Sequence, residues 1–296
     1  RQACVVFALL RCGRCDMHNL RLIKDSDMTL QPIEGEIFAI DKPLGWSSFH
    51  VVKKLRGALL SRLRSTGVRK LKVGHAGTLD PLATGVMIVC TGKATRRIDE
   101  LQSGVKEYVA TVALGATTPS FDLETPVDAT YPTAHITREL VEEVLLRFKG
   151  RIEQVPPSYS ACKVDGHRAY KMARRGEEVD LKPKILVIDE MELLEFSPEE
   201  IVIRVVCSKG TYIRALARDI GAALNSGGHL RALRRTRVGS VDVAHCSSVR
   251  DAVERIHCAA MSVPQEDGTR IDVPPAAFVP DFMQNEKADI KAYADR

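Results

Sequence analysis

Asp80 is the only acidic residue in GHAGTLDPLATG, Gly74–Gly85, a stretch that also carries one imidazole, His75, and three glycines. Pro81 disfavours helical geometry at Asp80, and glycines allow turns and close approaches that other residues resist. The carboxylate is therefore expected on a loop. Binding and catalytic groups sit on such loops, but Asp before Pro is also ordinary turn chemistry, and the local residues leave both open. An ionised, oriented carboxylate can act as a nucleophile without a cofactor. Tyr212 and Arg214, in SKGTYIR, are two apart, so in an extended segment both side chains face the same way. An arginine beside Asp80 would favour its charged form. The plain alternative is a core tyrosine and a surface cation. Tyr108, two residues after Lys106, is either a sheet residue or a stacking platform, and His75 either stacks on a base or hydrogen-bonds within its loop.

Common cofactor patterns do not match. In TGKAT, Ala94 stands where a phosphate loop needs Ser or Thr, and Met87 stands where it needs its first glycine. No GxGxxG follows a strand, and neither HExxH nor GxSxG occurs. Cys12 and Cys15 form a lone CxxC with no second pair, so no metal is expected. Any chemistry is therefore not expected to use ATP, NAD or zinc as a cofactor.

The elements that must position these groups begin at EIFAID, Glu36 to Asp41, which reads as a strand. KPLGWSS turns it into a helix capped by Ser47 or Ser48, with Val52, Leu55, Leu59 and Leu63 on one face. VMIVC reads as a buried strand and ATRRIDELQS as a helix. Val105 to Gly115 alternates, with Tyr108, Ala110 and Val112 on one face. ITRELVEEVLLRFKG is an amphipathic helix ending at Gly150, and HRAYKMARRG a shorter basic one. Strands follow at KILVIDEMELLEF and EEIVIRVVC, then the KGTYIR segment and the helix ALARDIGAALN. This order lacks a regular βαβ beat and predicts an α+β fold with a mixed, mainly antiparallel sheet flanked by helices. SSVRDAVERIHCAA gives one last helix, and the proline-bearing remainder reads as irregular.

The chain has 296 residues, 45% hydrophobic, which suits a buried core, and a net charge of +5. Lys53 to Lys72 holds eight Lys or Arg and no acid, and HLRALRRTR adds four arginines. That segregation points to a face that could follow a phosphate backbone, or to plain solvated surface. Cysteines scattered through apolar runs such as MIVC fit reduced thiols, hence a cytoplasmic setting. No apolar run approaches the roughly 20 residues a bilayer requires, and ACVVFALL near the start is short, so no membrane partner is expected.

Five stretches then carry a resemblance: IDKPLGWSSFHVV, GHAGTLDPLATGVMIVCTGKATR, KEYVATVALGATTPSFDLET, PPSYSACKVDGHRAYKMARRGE and CSKGTYIRALARDIGAALNSGGHLRALRRTRVG. In this order they resemble successive motifs of the TruB family of tRNA pseudouridine synthases, over residues 36 to 243. The resemblance implies isomerisation of a T-loop uridine of tRNA, at the position called uridine 55, in a pseudouridine synthase fold. It implies catalytic roles for Asp80, Tyr108 and Arg214, with Arg214 paired to the aspartate and Tyr108 stacking on the base. His75 then helps open the loop, Lys42 with Pro43 supports the active-site floor, and Tyr212 and Leu233 line the pocket. Asp122, in TTPSFDLET, aligns loosely with a TDT-rich stretch of other bacterial members and is carried as a substrate-binding position.

The expected organisation is an N-terminal extension over 1–33, disordered or not native, a catalytic domain over 34–243, and a helix with irregular tail over 244–296. That last segment does not resemble the RNA-binding PUA domain found in many members, so no guide RNA is expected, and a monomer is. The rival reading is a non-catalytic RNA-binding or tRNA-folding protein that uses the same basic cleft.

Overall fold

The computed structural model describes residues 29–276 except 161, 165, 166, 170, 171, 173, 174, 176 and 178–180, together with the short strands Phe7–Ala8 and Leu22–Ile23. The first longer elements are β1 (Ile37–Lys42), α1 (Ser48–Arg62), β2 (Val73–His75), β3 (Ala83–Thr91) and α2 (Ile98–Ser103). Next come β4 (Lys106–Leu114), α3 (Arg138–Arg147), β5 (Gly150–Gln154), β6 (Lys184–Ser197), β7 (Glu200–Cys207) and α4 (Ile213–Ala223). The chain then forms β8 (Gly228–Val238), β9 (Val241–Asp242), β10 (Ser247–Ser248), α5 (Val249–Cys258), β11 (Met261–Pro264) and β12 (Arg270–Val273). They fall into two compact units, one of residues 1–104 with 235–296, the other of 105–234.

In the first unit β3 pairs antiparallel with both β1 and β2, and β10 adds to β1 in parallel. Alternate side chains of the strands bury on opposite faces. Phe38, Ile40, Met87 and Val89 join one cluster with Val51, Val52, Leu55 and Leu59 of α1 and Val253 and Ile256 of α5. Ile37, Val86, Ile88 and Cys90 join a second cluster with Leu101 of α2. Burial on both faces explains why VMIVC is continuously apolar rather than alternating. Helix α1 begins where the Ser47 side chain accepts from the His50 amide. The expected helix over ATRRIDELQS is split, with a 3-10 turn at Gly92–Arg97 running into α2.

Two segments expected to be irregular are ordered here. Leu30 is fully buried, its amide donates to Ala260 O at 2.8 Å, and its carbonyl accepts from Ser262 N at 2.9 Å. β11 and β12 form an antiparallel hairpin whose Met261, Val263 and Val273 enter the α1 cluster.

In the second unit β4 pairs with β7, β7 with β6 and β6 with β5, all antiparallel. Tyr108, Ala110 and Val112 are buried as the alternation of β4 requires, and lie in register with Val205, Ile203 and Ile201. Helix α3 packs on β6, while α4 packs on α3 and β4. The expected extended run through SKGTYIR is not found. Tyr212 is extended, but it is the N-cap of α4, and Leu216 N already bonds Tyr212 O at 3.0 Å. Arg214 therefore stands in the first helical turn, and the two side chains do not share a strand face. The basic helix expected over HRAYKMARRG falls largely outside the described residues. The mixed, mainly antiparallel α+β architecture agrees with the expectation from element order.

Candidate active site

The Asp80 loop is the connection of an antiparallel hairpin, between β2 and β3. Its backbone is fastened on both sides of the aspartate. The Ser48 hydroxyl donates to Leu79 O at 2.9 Å and accepts from Leu79 N at 2.8 Å. On the other side Pro81 O accepts from Gly45 N at 2.9 Å and from Lys42 Nζ at 3.4 Å. Gly85 closes the hairpin with φ 103, and a Cβ there would overlap the Arg235 backbone carbonyl. Only glycine permits that approach.

Lys42 ends β1 and is fully buried; its ammonium also donates to Trp46 O at 2.6 Å and Pro43 O at 2.9 Å. Burial pushes it down to about 8, against the pull of the Asp80 carboxylate, with Arg235 lowering it further and Asp41 opposing. His75 lies at the end of β2. Burial holds its imidazole below the usual value, the Arg235 guanidinium adds to this, and the Gly77 backbone opposes it. Its buried Nδ1 has no hydrogen-bond partner among the described residues. The hairpin thus carries His75 and Asp80, and the Lys42 ammonium reaches it from the end of β1.

The arginines expected to face phosphates divide. Arg235 is 2% exposed, and its guanidinium donates to Val86 O at 2.7 Å and Gly77 O at 3.2 Å, so it braces the hairpin. Arg62 donates to the carbonyl oxygens of Ile256, Ala259 and Pro274 and closes the end of α5. Arg231 pairs with Glu200 at 2.7 Å. Lys53, Arg64, Arg69, Lys70 and Lys72 are exposed.

In the second unit Arg214 is 4% exposed and held on several sides. Its Nε lies 3.6 Å from the Asp122 carboxylate, and its terminal nitrogens donate to Ser120 O at 3.1 Å and Tyr159 O at 2.9 Å. The TTPSFDLET loop is knit by its own hydroxyls: Thr118 Oγ1 donates to Asp122 O at 2.7 Å, and Glu124 N donates to the Asp122 carboxylate at 2.9 Å. Asp122 is thereby a buried partner of Arg214.

The Tyr212 backbone is gripped by the Gln154 amide, which accepts from Tyr212 N at 2.9 Å and donates to Tyr212 O at 3.2 Å. The Tyr212 hydroxyl lies 3.2 Å from Cys162 Sγ, with Lys184 Nζ 3.5 Å from the same sulfur. Burial and the adjacent sulfur push the phenol up to about 12. For Cys162, burial opposes ionisation, but Tyr212, Ser160 and Lys184 outweigh it and leave the thiol below its usual value. Tyr108 on β4 and Leu233 on β8 are both buried.

Sequence reasoning missed Ser48, Gln154, Ser120 and the bracing role of Arg235. Ser48 had a signal: Ser47 supplies the helix cap, which leaves the second hydroxyl of the pair for another task.

The site sets a fastened loop carboxylate beside a buried ammonium on a mixed α+β scaffold, and the family comparisons assign its class. The TruB family pseudouridylate synthase N-terminal domain model matches residues 64–213, and the tRNA pseudouridylate synthase B C-terminal domain model matches 214–267. The chain belongs to the TruB family. It is 68% identical over 221 residues to a tRNA pseudouridine synthase B of Phocaeicola vulgatus, covering 75% of this chain and 93% of that one. With the tRNA pseudouridine synthase B of Parabacteroides distasonis it shares 62% identity over 234 residues, 79% of this chain and 98% of the relative. Among solved structures, a chain of a Cbf5–Nop10–Gar1 complex is 30% identical with a TM-score of 0.54. That match covers 73% of this chain and 53% of the solved one, so the chain spans about half the length of that neighbour.

Proposed function

We propose that this chain is a tRNA pseudouridine synthase that isomerises a T-loop uridine, at the position called uridine 55, with Asp80 as nucleophile. The observation that carries the reading is the double fastening of the Asp80 loop, through Ser48 to Leu79 and through Gly45 and Lys42 to Pro81. A reacting group held in one geometry avoids the entropic cost of finding it.

The reaction breaks the C1′–N1 bond of the uridine, turns the uracil, and forms a C1′–C5 bond; the C5 proton is lost and N1 gains one, with no net redox change. Asp80 attacks ribose C1′, draws a proton from C2′, or adds to uracil C6; all three use an oriented carboxylate. C5 is out of reach in a stacked loop, so the nucleotide is flipped into the pocket. In this reading Tyr108 stacks on the base and helps remove a proton, while Tyr212 and Leu233 line the pocket. The family motifs assign Arg214 to the Asp80 carboxylate, with Asp122 beside Arg214 on its own unit. His75 helps open the RNA loop, and Lys42 supports the floor beneath Asp80.

The exposed cations between Lys53 and Lys72 would meet the phosphate backbone. The protein would act as a monomer in the cytoplasm without a guide RNA. No described helix is long and apolar enough to cross a membrane.

The test compares wild type with Asp80→Asn on a T-loop RNA, following pseudouridine formation and binding separately. Product is expected to vanish while binding largely survives. An active Asp80→Asn would overturn the nucleophile, and wild type that binds without forming product would favour the RNA-folding reading.

A further inference from the structure

Phe121, next to Asp122, lies in the left-handed region with φ 60; the other non-glycine residue there among the described residues is Asn225. A bulky side chain in that region is strained and persists only where its surroundings hold it. Phe121 N donates to Thr118 O at 3.0 Å, and Phe121 O accepts from Leu230 N at 2.9 Å. The Arg218 guanidinium lies over the ring, 4.8 Å from its centroid, a cation–π distance. Arg218 is itself oriented, through Nη2 to Val155 O at 3.1 Å and Nε to Asp219 at 2.8 Å.

Arg214 and Arg218 are four residues apart on α4, and so lie on one helix face. The first reaches the Asp122 carboxylate, and the second covers the ring of Phe121. Two adjacent loop residues are thus held by two successive turns of one helix. The left-handed step at Phe121 leaves Asp122 4% exposed while its neighbour Leu123 is 55% exposed.

We propose that Phe121 and Arg218 are positioning residues: their stacking holds the strained turn that directs Asp122 onto Arg214. This rests on the reading above that Arg214 serves the isomerisation. Stacking of this kind elsewhere on a surface would add only stability, so the two roles separate by readout.

The experiment measures single-turnover pseudouridine formation on a T-loop RNA, RNA affinity and thermal unfolding for five variants. Phe121→Gly accepts the left-handed backbone without strain but lacks the ring; Arg218→Met removes the cation from a partly exposed site. Each is expected to lower the maximal rate about tenfold with RNA affinity within about twofold of wild type. Phe121→Tyr is expected to retain the rate, whereas Phe121→Leu loses it. The double Phe121→Gly, Arg218→Met variant is expected to be no slower than the slower single variant, because both remove one contact.

Single variants within about twofold of the wild-type rate, rate effects that multiply in the double, or a loss carried by affinity would each overturn the proposal. Wild type that forms no pseudouridine would overturn the isomerase reading instead. Positioning would then be judged on a crystal structure of Phe121→Gly, where an unmoved Asp122–Arg214 contact would overturn it and a displaced Asp122 would support it.

Discussion

The Ser48 hydroxyl serves both polar groups of the Leu79 backbone, donating to its oxygen at 2.9 Å and accepting from its nitrogen at 2.8 Å, so the first turn of α1 holds the residue before Asp80. Ser48→Ala leaves two buried backbone groups without that partner, at a cost of about 1–3 kcal/mol. Because misplacement by an ångström is enough to slow a reaction about a hundredfold, kcat is expected to fall by ten- to a hundredfold. Single-turnover kinetics beside a thermal melt would check this. A melt lowered as expected with an unchanged rate would mean that the clamp has no catalytic consequence.

Lys42 is expected to give the reaction an alkaline limit. Its pKa of about 8 means that the ammonium is charged below that pH and neutral above it. The charge beside Asp80 is therefore lost as pH rises through about 8, and the maximal rate is expected to fall over the same interval. Lys42→Met should be slow at all pH values and should lack that limb. A wild-type rate that stays flat to pH 10 would remove Lys42 from the account.

The cations should sort into two groups by experiment. Arg235→Met leaves the carbonyls of Val86 and Gly77 without their donor and should destabilise the fold, by about 1–3 kcal/mol for each buried carbonyl left unsatisfied. Lys53→Glu, Arg69→Glu and Lys70→Glu change exposed side chains, so melting should stay within about 0.5 kcal/mol while RNA affinity falls and its salt dependence flattens. Filter binding between low and physiological salt, with denaturant melts, distinguishes the groups. Normal RNA affinity in all three lysine and arginine replacements would move the RNA to another face.

Thiol chemistry offers an independent check on the Tyr212 environment. Burial pushes Cys90 up to about 12 and Cys207 up to about 11, whereas Cys162 is held below its usual value. Iodoacetamide at pH 8 should therefore alkylate Cys162 well before Cys90 and Cys207, as read by peptide mass spectrometry. Tyr212→Phe removes one hydrogen bond to the sulfur and should slow that labelling. Equal rates at the three cysteines would contradict the geometry.

Local pattern carried much of the architecture. The alternation of Tyr108, Ala110 and Val112 placed β4 and its buried face, because a strand turns successive side chains to opposite sides. The Ser47 cap and the helical spacing of Val52, Leu55 and Leu59 did the same for α1. The extended reading of SKGTYIR failed because a seven-residue run holds about two helical turns at most, too few for periodicity to oppose it. The hairpin Met261–Val273 escaped notice for a different reason: its core partner Leu30 lies far off in the chain, and such pairing has no local signature.

The sequence by itself determined that Asp80 would be a lone loop carboxylate and, through its motifs, the family to which the chain belongs. Those follow from residue identity and spacing, which need no knowledge of neighbours. Only the tertiary structure decided which polar groups hold that loop and which arginines are buried within the fold. Arg235 and Arg231 look alike in HLRALRRTR, yet one is buried against Val86 and Gly77 and the other is exposed beside Glu200. A charge run records what the side chains carry, and the partners that neutralise or orient them arrive from distant segments.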